Sequence, residues 1–324
     1  MSEVLTIGEP MAVFASTEAD VPLAVACNYD KFLAGAEVNV AVGVARLGHT
    51  VDYVAQVGAD PIGDFVRAEL TKANVGTDHV VVTPTHTTGL MFKQRVTAGD
   101  PATANYRKNS AAANLMTNQI ETLNLDGVKI AHLTGIFPAI SATARETTLA
   151  LCQRLAMHPE IVKIFDTNLR PALWETTEEM VATTNQFAKM ANIVLPGINE
   201  GEILMGSRDP ETIADFFIGQ SAVTDTVIVK LGPAGAFVKT RDGQTMTVPG
   251  FRVAEVIDTV GAGDGFALGV ITGLLDGLDL YHAVQRGNAV GAMAVQAAGD
   301  NDGYPTLVAV SYTHLRAHET ELHL

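Results

Sequence analysis

Short runs of aliphatic and β-branched residues alternate with longer stretches of helical spacing along most of this chain, and that alternation restricts its architecture more than any other feature. Residues 4–8, 51–58, 128–135, 161–168, 193–196 and 226–232 read as strands, and 62–73, 142–157 and 178–190 as helices. Strands separated by helices run parallel, because a helix-length crossover returns the chain to the same end of a sheet. The pattern therefore predicts an α/β fold with a mostly parallel central sheet covered by helices. Asp242-Gly243, between the β-prone segments 236–239 and 245–248, predicts a type I′ hairpin and hence a mixed edge.

Two segments break the alternation. Residues 13–33 and 87–107 are β-prone but irregular, carry Pro, Gly and Asn, and lack a convincing helix after them. Paired with each other, they make a small β-sheet lid over the carboxyl ends of the strands, where open α/β sheets bind ligands. The expectation is one domain over residues 1–310 with lid segments near 10–34 and 86–108 inserted in it. Exposed edges on such a lid would also let copies pair across a two-fold axis, as a dimer or higher homo-oligomer.

Charge removes whole classes of partner. With 21 Lys and Arg against 36 Asp and Glu, the net charge of −15 repels both nucleic acid and anionic lipid surfaces. The apolar run 265–275 ends at Asp264 and Asp276 and is too short for a membrane span. The start, MSEVLTIGEP, places acidic Glu3 and Glu9 around a short apolar core and lacks the basic n-region of a secretory signal, so the expected location is cytoplasmic. Cys27 and Cys152 show no spacing that indicates a disulfide framework or a zinc site.

The densest chemistry lies at Asp258-Thr-Val-Gly-Ala-Gly-Asp264, a short loop that ends a β-prone run, 251–257, and opens an apolar helix. Gly261, Ala262 and Gly263 are small enough for backbone amides to converge, and the first turn of a helix leaves its N–H groups unpaired, so the loop is suited to an anion such as a phosphate. Asp264 has two readings on spacing alone. It caps the helix, or it is a general base that deprotonates a hydroxyl beside a phosphoryl group.

DTVGAGD resembles the C-terminal signature of the ribokinase-like (PfkB) carbohydrate kinases, D-T-x-G-A-G-D, at all seven positions. Other landmarks of that family follow in order: Gly35-Ala-Glu-Val-Asn39, Val57-Gly-Ala-Asp60 with Gly63, Asn199-Glu-Gly-Glu202 and Lys230-Leu-Gly-Pro-Ala-Gly235. The resemblance implies a three-layer α/β/α ribokinase-like fold and an ATP-dependent sugar kinase. It implies Asp264 as the base, with the 261–264 amides as the anion hole for the transferred phosphoryl group. Gly35, Ala36 and Asn39 would bind the sugar. Asn168, Asn199, Lys230, Gly232, Gly235, Gly261, Gly263 and Asn288 would serve the nucleotide, with Asn288 near adenine. Asn199 and Glu202 would face Mg²⁺ through its water. Read without the family, Gly232 and Gly235 are equally hairpin residues, and Glu202 a solvated helix position.

A narrower resemblance, to 2-keto-3-deoxygluconate kinases, rests on Phe165-Asp-Thr-Asn-Leu-Arg-Pro-Ala-Leu-Trp174, Tyr106-Arg-Lys-Asn-Ser110, His132-Leu-Thr-Gly-Ile136 and Gly299-Asp-Asn-Asp302. It implies a sugar acid as substrate, 2-dehydro-3-deoxy-D-gluconate, phosphorylated to its 6-phosphate. Arg107 and Arg170 are the cations for its carboxylate, unless each is spent in an ion pair, and Asp300 would take a hydroxyl. Met91 and Asn105 stand in the lid where this group usually has tyrosines. The same mechanism on fructose, ribose or a nucleoside is the enzyme alternative, and a non-catalytic sugar-binding regulator is the alternative of another class.

Residues 311–324, SYTHLRAHETELHL, hold three of the nine histidines and have no periodicity that would dock them. His314 and His318 have metal-ligand spacing but no third ligand. The segment resembles translated adaptor read-through and is expected to be a non-native tail without function.

Overall fold

The computed structural model describes residues 2–99, 101–297, 299 and 301–310; Asp300 and the 311–324 segment lie outside the described residues. In chain order the strands are β1 Val4–Ile7, β2 Met11–Ala19, β3 Tyr29–Ala34, β4 Val51–Gly58, β5 Val80–Thr83, β6 Leu90–Arg95, β7 Thr103–Tyr106, β8 Ile130–Thr134, β9 Val162–Asp166, β10 Ile193–Leu195, β11 Thr226–Lys230, β12 Gly235–Thr240 and β13 Thr245–Pro249. The helices are α1 Ala36–Arg46, α2 Pro61–Lys72, α3 Asn118–Glu121, α4 Ala142–Ala156, α5 Thr177–Ala188, α6 Ile198–Met205, α7 Pro210–Gly219, α8 Ala262–Leu275 and α9 Leu280–Ala294.

Nine strands form the central sheet in the order β13-β12-β11-β10-β9-β8-β1-β4-β5. It is parallel except at β11-β12-β13, where the predicted hairpin turns the edge antiparallel. Period-two alternation splits its side chains between two apolar layers. Val4 faces the layer built with α1, α8 and α9, while Leu5 and Ile7 face the one built with α4, α5 and α7. The helices start where the sequence says they should: Asp60 accepts from Gly63 N–H ahead of Pro61, and Ser141, Thr176, Asp209 and Asp279 cap α4, α5, α7 and α9 in the same way. Each such cap is worth about 1 kcal/mol. No described helix is long and apolar enough to cross a membrane.

The two irregular segments do pair. They form a four-stranded sheet, β3-β2-β6-β7, with β2 and β6 parallel and the outer pairs antiparallel. Phe14 and Phe92 stack in it at 5.3 Å between ring centroids, with Tyr29 edge-on to Phe92.

Two local expectations differ from the structure. The 241–244 connection is a four-residue loop closed by Thr240 N–H on the Gln244 carbonyl at 3.0 Å, and only Gly243 in it has positive φ, so the type I′ turn, which needs two such residues, is not formed. The β-prone run 251–257 is not a strand. It leaves the sheet after β13, exposes Val256 and Ile257, and ties to the body through Ile257 N–H on the Val295 carbonyl.

Candidate active site

The chain passes from β1 to β4 on one side and later to β8 on the other, so the sheet has its switch point beside β1. Glu9 follows β1, Ile136 follows β8, Asn168 follows β9 and Lys230 ends β11, and these carboxyl ends border a cavity of about 460 Å³ that α8 and the lid complete.

Asp264 sits in the first turn of α8, 8% exposed. The turn begins at Gly261, whose φ of 77° is left-handed and which supplies no side-chain cap, and the Ala262 N–H turns back to the Thr259 carbonyl at 3.4 Å. Two neutral amides hold the carboxylate. Asn39 Nδ2 donates to Oδ2 at 2.9 Å and Asn168 Nδ2 to Oδ1 at 3.1 Å. Asn39 is itself oriented, because its Oδ1 accepts from Asn301 Nδ2 at 3.1 Å, which turns its amino group toward Asp264. Asn168 holds φ of 35°, a conformation that Asn tolerates better than most side chains and that is found at functional sites. Asn39, expected to bind the sugar, and Asn168, expected to serve the nucleotide, thus both orient the carboxylate in this geometry.

The segment 301–304 braces both parts of this end. Arg46 Nη1 donates to the carbonyls of Asn301 and Tyr304 at 2.9 and 3.0 Å, and Tyr304 Oη donates to the Gly261 carbonyl at 2.8 Å. Asn301 lies inside the quoted 299–302 motif without a role of its own, and for Tyr304 the available sign was a tyrosine after a glycine near the C-terminus.

Lys230 lies beside the anion loop, about 4.0 Å from where a Cβ on Gly263 would stand, and pairs with Asp166 at 2.6 Å. Burial works against its ammonium, but Asp166, Glu200 and Asp264 together hold its pKa above the ordinary lysine value. Burial likewise pushes Asp166 up despite Lys230. Glu200 is kept low against burial by the Lys230 charge and by donors from Thr167, Leu169 and Gly197. Both acids were missed from sequence, although Asp166 and Glu200 each lie inside a quoted motif.

At the lid end, Arg107 and Met91 line the cavity, as does Arg170, whose Nη1 donates to its neighbour's carbonyl. Arg107 is paired with the buried Glu9. Asn105 faces Met91 across β6 and β7 but is exposed and outside the lining. Between the two ends, Glu37 is buried against Thr134, which donates to it. Burial raises its pKa to about 7, the Thr134 bond opposes the rise, and the negative charge of Asp264 adds to it. The lid also reaches the anion loop directly, through Lys93 on Asp258 at 3.2 Å. Gly35, Ala36, Gly261 and Gly263 all border the cavity.

Three expected nucleotide residues also have a place in the fold itself. Asn288 is buried and donates to the Val248 and Pro249 carbonyls at 3.0 Å, tying α9 to β13. Gly235 has φ of 102° and lies so near the Val248 carbonyl that a Cβ would approach to 2.1 Å. Gly232 starts the turn between β11 and β12, open to solvent. Asn199 and Glu202 are exposed in α6, and Glu202 pairs with Arg208 at 2.8 Å. Among the described residues no three His, Cys, Asp or Glu side chains gather as a direct metal set. An exposed amide and carboxylate fit an ion that keeps its water shell, as Mg²⁺ does, rather than one bound directly.

The model of the pfkB family carbohydrate kinases matches residues 1–307. The chain belongs to that family. The 2-dehydro-3-deoxygluconokinase of Bacillus subtilis (strain 168) is 44% identical over 305 residues, 94% of this chain and 93% of the relative. The PfkB protein of Polaromonas sp. JS666 has a solved structure 38% identical in sequence, with a TM-score of 0.86 over 96% of this chain and 99% of that one. A sugar kinase from Pyrococcus horikoshii, solved in complex with ATP, is 29% identical with a TM-score of 0.79, over 94% and 96% of the two chains. The protein is a sugar kinase, and the ribokinase-like fold is the one its neighbours share.

Proposed function

We propose that this kinase transfers the γ-phosphoryl group of ATP to the 6-hydroxyl of 2-dehydro-3-deoxy-D-gluconate. The observation that carries the reading is a single cavity lined both by the Asp264 carboxylate in the first turn of α8 and by two arginines, Arg107 and Arg170. A sugar acid has a hydroxyl for the first and a carboxylate for the second, and the 44% identical relative supports that substrate.

Asp264 takes the hydroxyl proton as the sugar oxygen attacks the γ-phosphorus, and the bond to the bridging oxygen of ADP breaks. The amides of 261–264 and the Lys230 ammonium meet the charge that develops on the phosphoryl and leaving oxygens. Asn39 and Asn168 hold the carboxylate in line, so that little positional freedom is lost at the reaction step. Mg²⁺ bound with ATP would reach Asn199 and Glu202 through its waters and would neutralise phosphate charge.

A coupled ADP-release assay over sugar acids, neutral sugars and nucleosides tests the reading. The expected result is turnover confined to 2-dehydro-3-deoxygluconate and close acid analogues. Faster turnover of fructose, ribose or a nucleoside would replace the substrate and leave the mechanism; no ADP with any acceptor, despite sugar binding, would remove the enzyme.

A further inference from the structure

Arg107 is expected to grip the substrate carboxylate, yet it already carries an anion. Its Nε and Nη2 both reach Oε2 of Glu9, at 2.6 and 2.5 Å, while Ser110 Oγ donates to Oε1 at 2.5 Å. Glu9 is 2% exposed and borders the cavity. It follows β1 in the body, whereas Arg107 follows β7 in the lid, so the pair crosses the boundary between them. Space is kept for this carboxylate: a Cβ on Gly89 would lie 2.6 Å from Oε1.

A guanidinium is planar and offers two separate edges to carboxylates. With Nε and Nη2 turned to Glu9, trigonal geometry carries Nη1 away from it, and the Nη1–Nη2 edge remains for a second carboxylate. A long, otherwise mobile side chain is thereby fixed before substrate arrives, which lowers the ordering cost of binding. Because the buried glutamate is already neutralised, the same arrangement gives a neutral sugar no compensation for ignoring the second edge.

We propose that Glu9 is the positioning residue that fixes Arg107 for the carboxylate of the substrate and thereby sets the preference for acid over neutral sugars. The inference rests on the sugar-acid reading above. It does not touch the phosphoryl transfer.

The test compares wild type, Glu9→Gln and Ser110→Ala on 2-dehydro-3-deoxygluconate and on the neutral ketose with a hydroxymethyl group in place of its carboxylate. In Glu9→Gln, KM for the acid rises roughly ten- to a hundredfold. KM for the ketose, KM for ATP and kcat on either sugar stay within about twofold, so the acid preference collapses. Ser110→Ala, which keeps the charge pair, gives a smaller rise of about threefold for the acid alone and serves if Glu9→Gln does not fold. An unchanged acid KM in the folded variants, or an equal loss on both sugars, would overturn the inference while leaving the kinase reading intact. Wild type that uses neutral sugars and no acid would overturn both.

Discussion

The two ends of the cavity hold their key side chains by opposite means. Asp264 is held by two neutral amides and an uncapped helix turn, whereas Arg107 is held by a buried opposite charge. The Lys230 charge also acts on Asp264, but its ion pair is with Asp166, and a base in direct contact with a cation would be pinned more firmly in its ionised form and would accept a proton reluctantly. Amides orient it at less cost to its basicity. A recognition arginine has no proton to exchange, so an ion pair fixes it without loss of function. Chemistry and recognition thus call for different partners, and one cavity contains both.

The largest expected effect breaks the chemical end alone: Asp264→Asn lowers kcat by about 10³-fold while ATP affinity, measured by calorimetry, changes little. Near wild-type turnover would remove Asp264 as the base. Glu37, which feels both Asp264 and Arg107, sharpens the comparison next. Its pKa rises from the ordinary 4.5 to about 7, so the folded state binds more protons across that window. The stability this supplies is complete below the lower value and lost as pH rises through the upper one, a span of about 3 kcal/mol. Urea melts of Glu37→Gln and wild type between pH 4.5 and 8 should therefore converge or cross as pH rises, to the benefit of the variant; parallel curves would show that Glu37 does not titrate there.

Asn168→Ala removes one of the two amides and is expected to lower kcat roughly tenfold with KM for the sugar nearly unchanged. A rise in KM for ATP instead would support the nucleotide role that the resemblance implies for Asn168. The smallest effect belongs to the lid: Met91→Tyr adds a phenolic hydroxyl to the cavity wall and should lower KM for the sugar acid about threefold without altering kcat. A drop in kcat would mean that the lid shapes the transition state as well as the bound sugar.

Element order, the parallel sheet and the lid were legible because they follow from local periodicity and from segments that lack it. The anion loop was legible because its signature is contiguous. What contiguity cannot carry is the partner of each side chain. Asp264 meets amides 225 and 96 residues away, and nothing in the spacing of Asn39 or Asn168 says which way an amide turns. Glu9 was read as part of an acidic start to the chain, since burial of a carboxylate is visible only once Arg107 has folded back over it. The hairpin turn was misread for a local reason: Asp242-Gly243 suits a type I′ turn, but the strands stop one residue short of it on each side and leave a four-residue loop.

Helix α8 offers one last consequence. It is buried along Asp264–Gly273, and its glycines let α9 approach so closely that a Cβ on Gly269 would stand 2.7 Å from the Gly287 backbone, with Gly273 as near to Ala283. The proposed base is therefore mounted on a part that has no room to shift by the width of a methyl group. Whatever alignment a new acceptor sugar demands must be found on the opposite wall, so divergence in substrate is channelled into β6, β7 and the Arg107 corner, while the reaction itself is inherited unchanged.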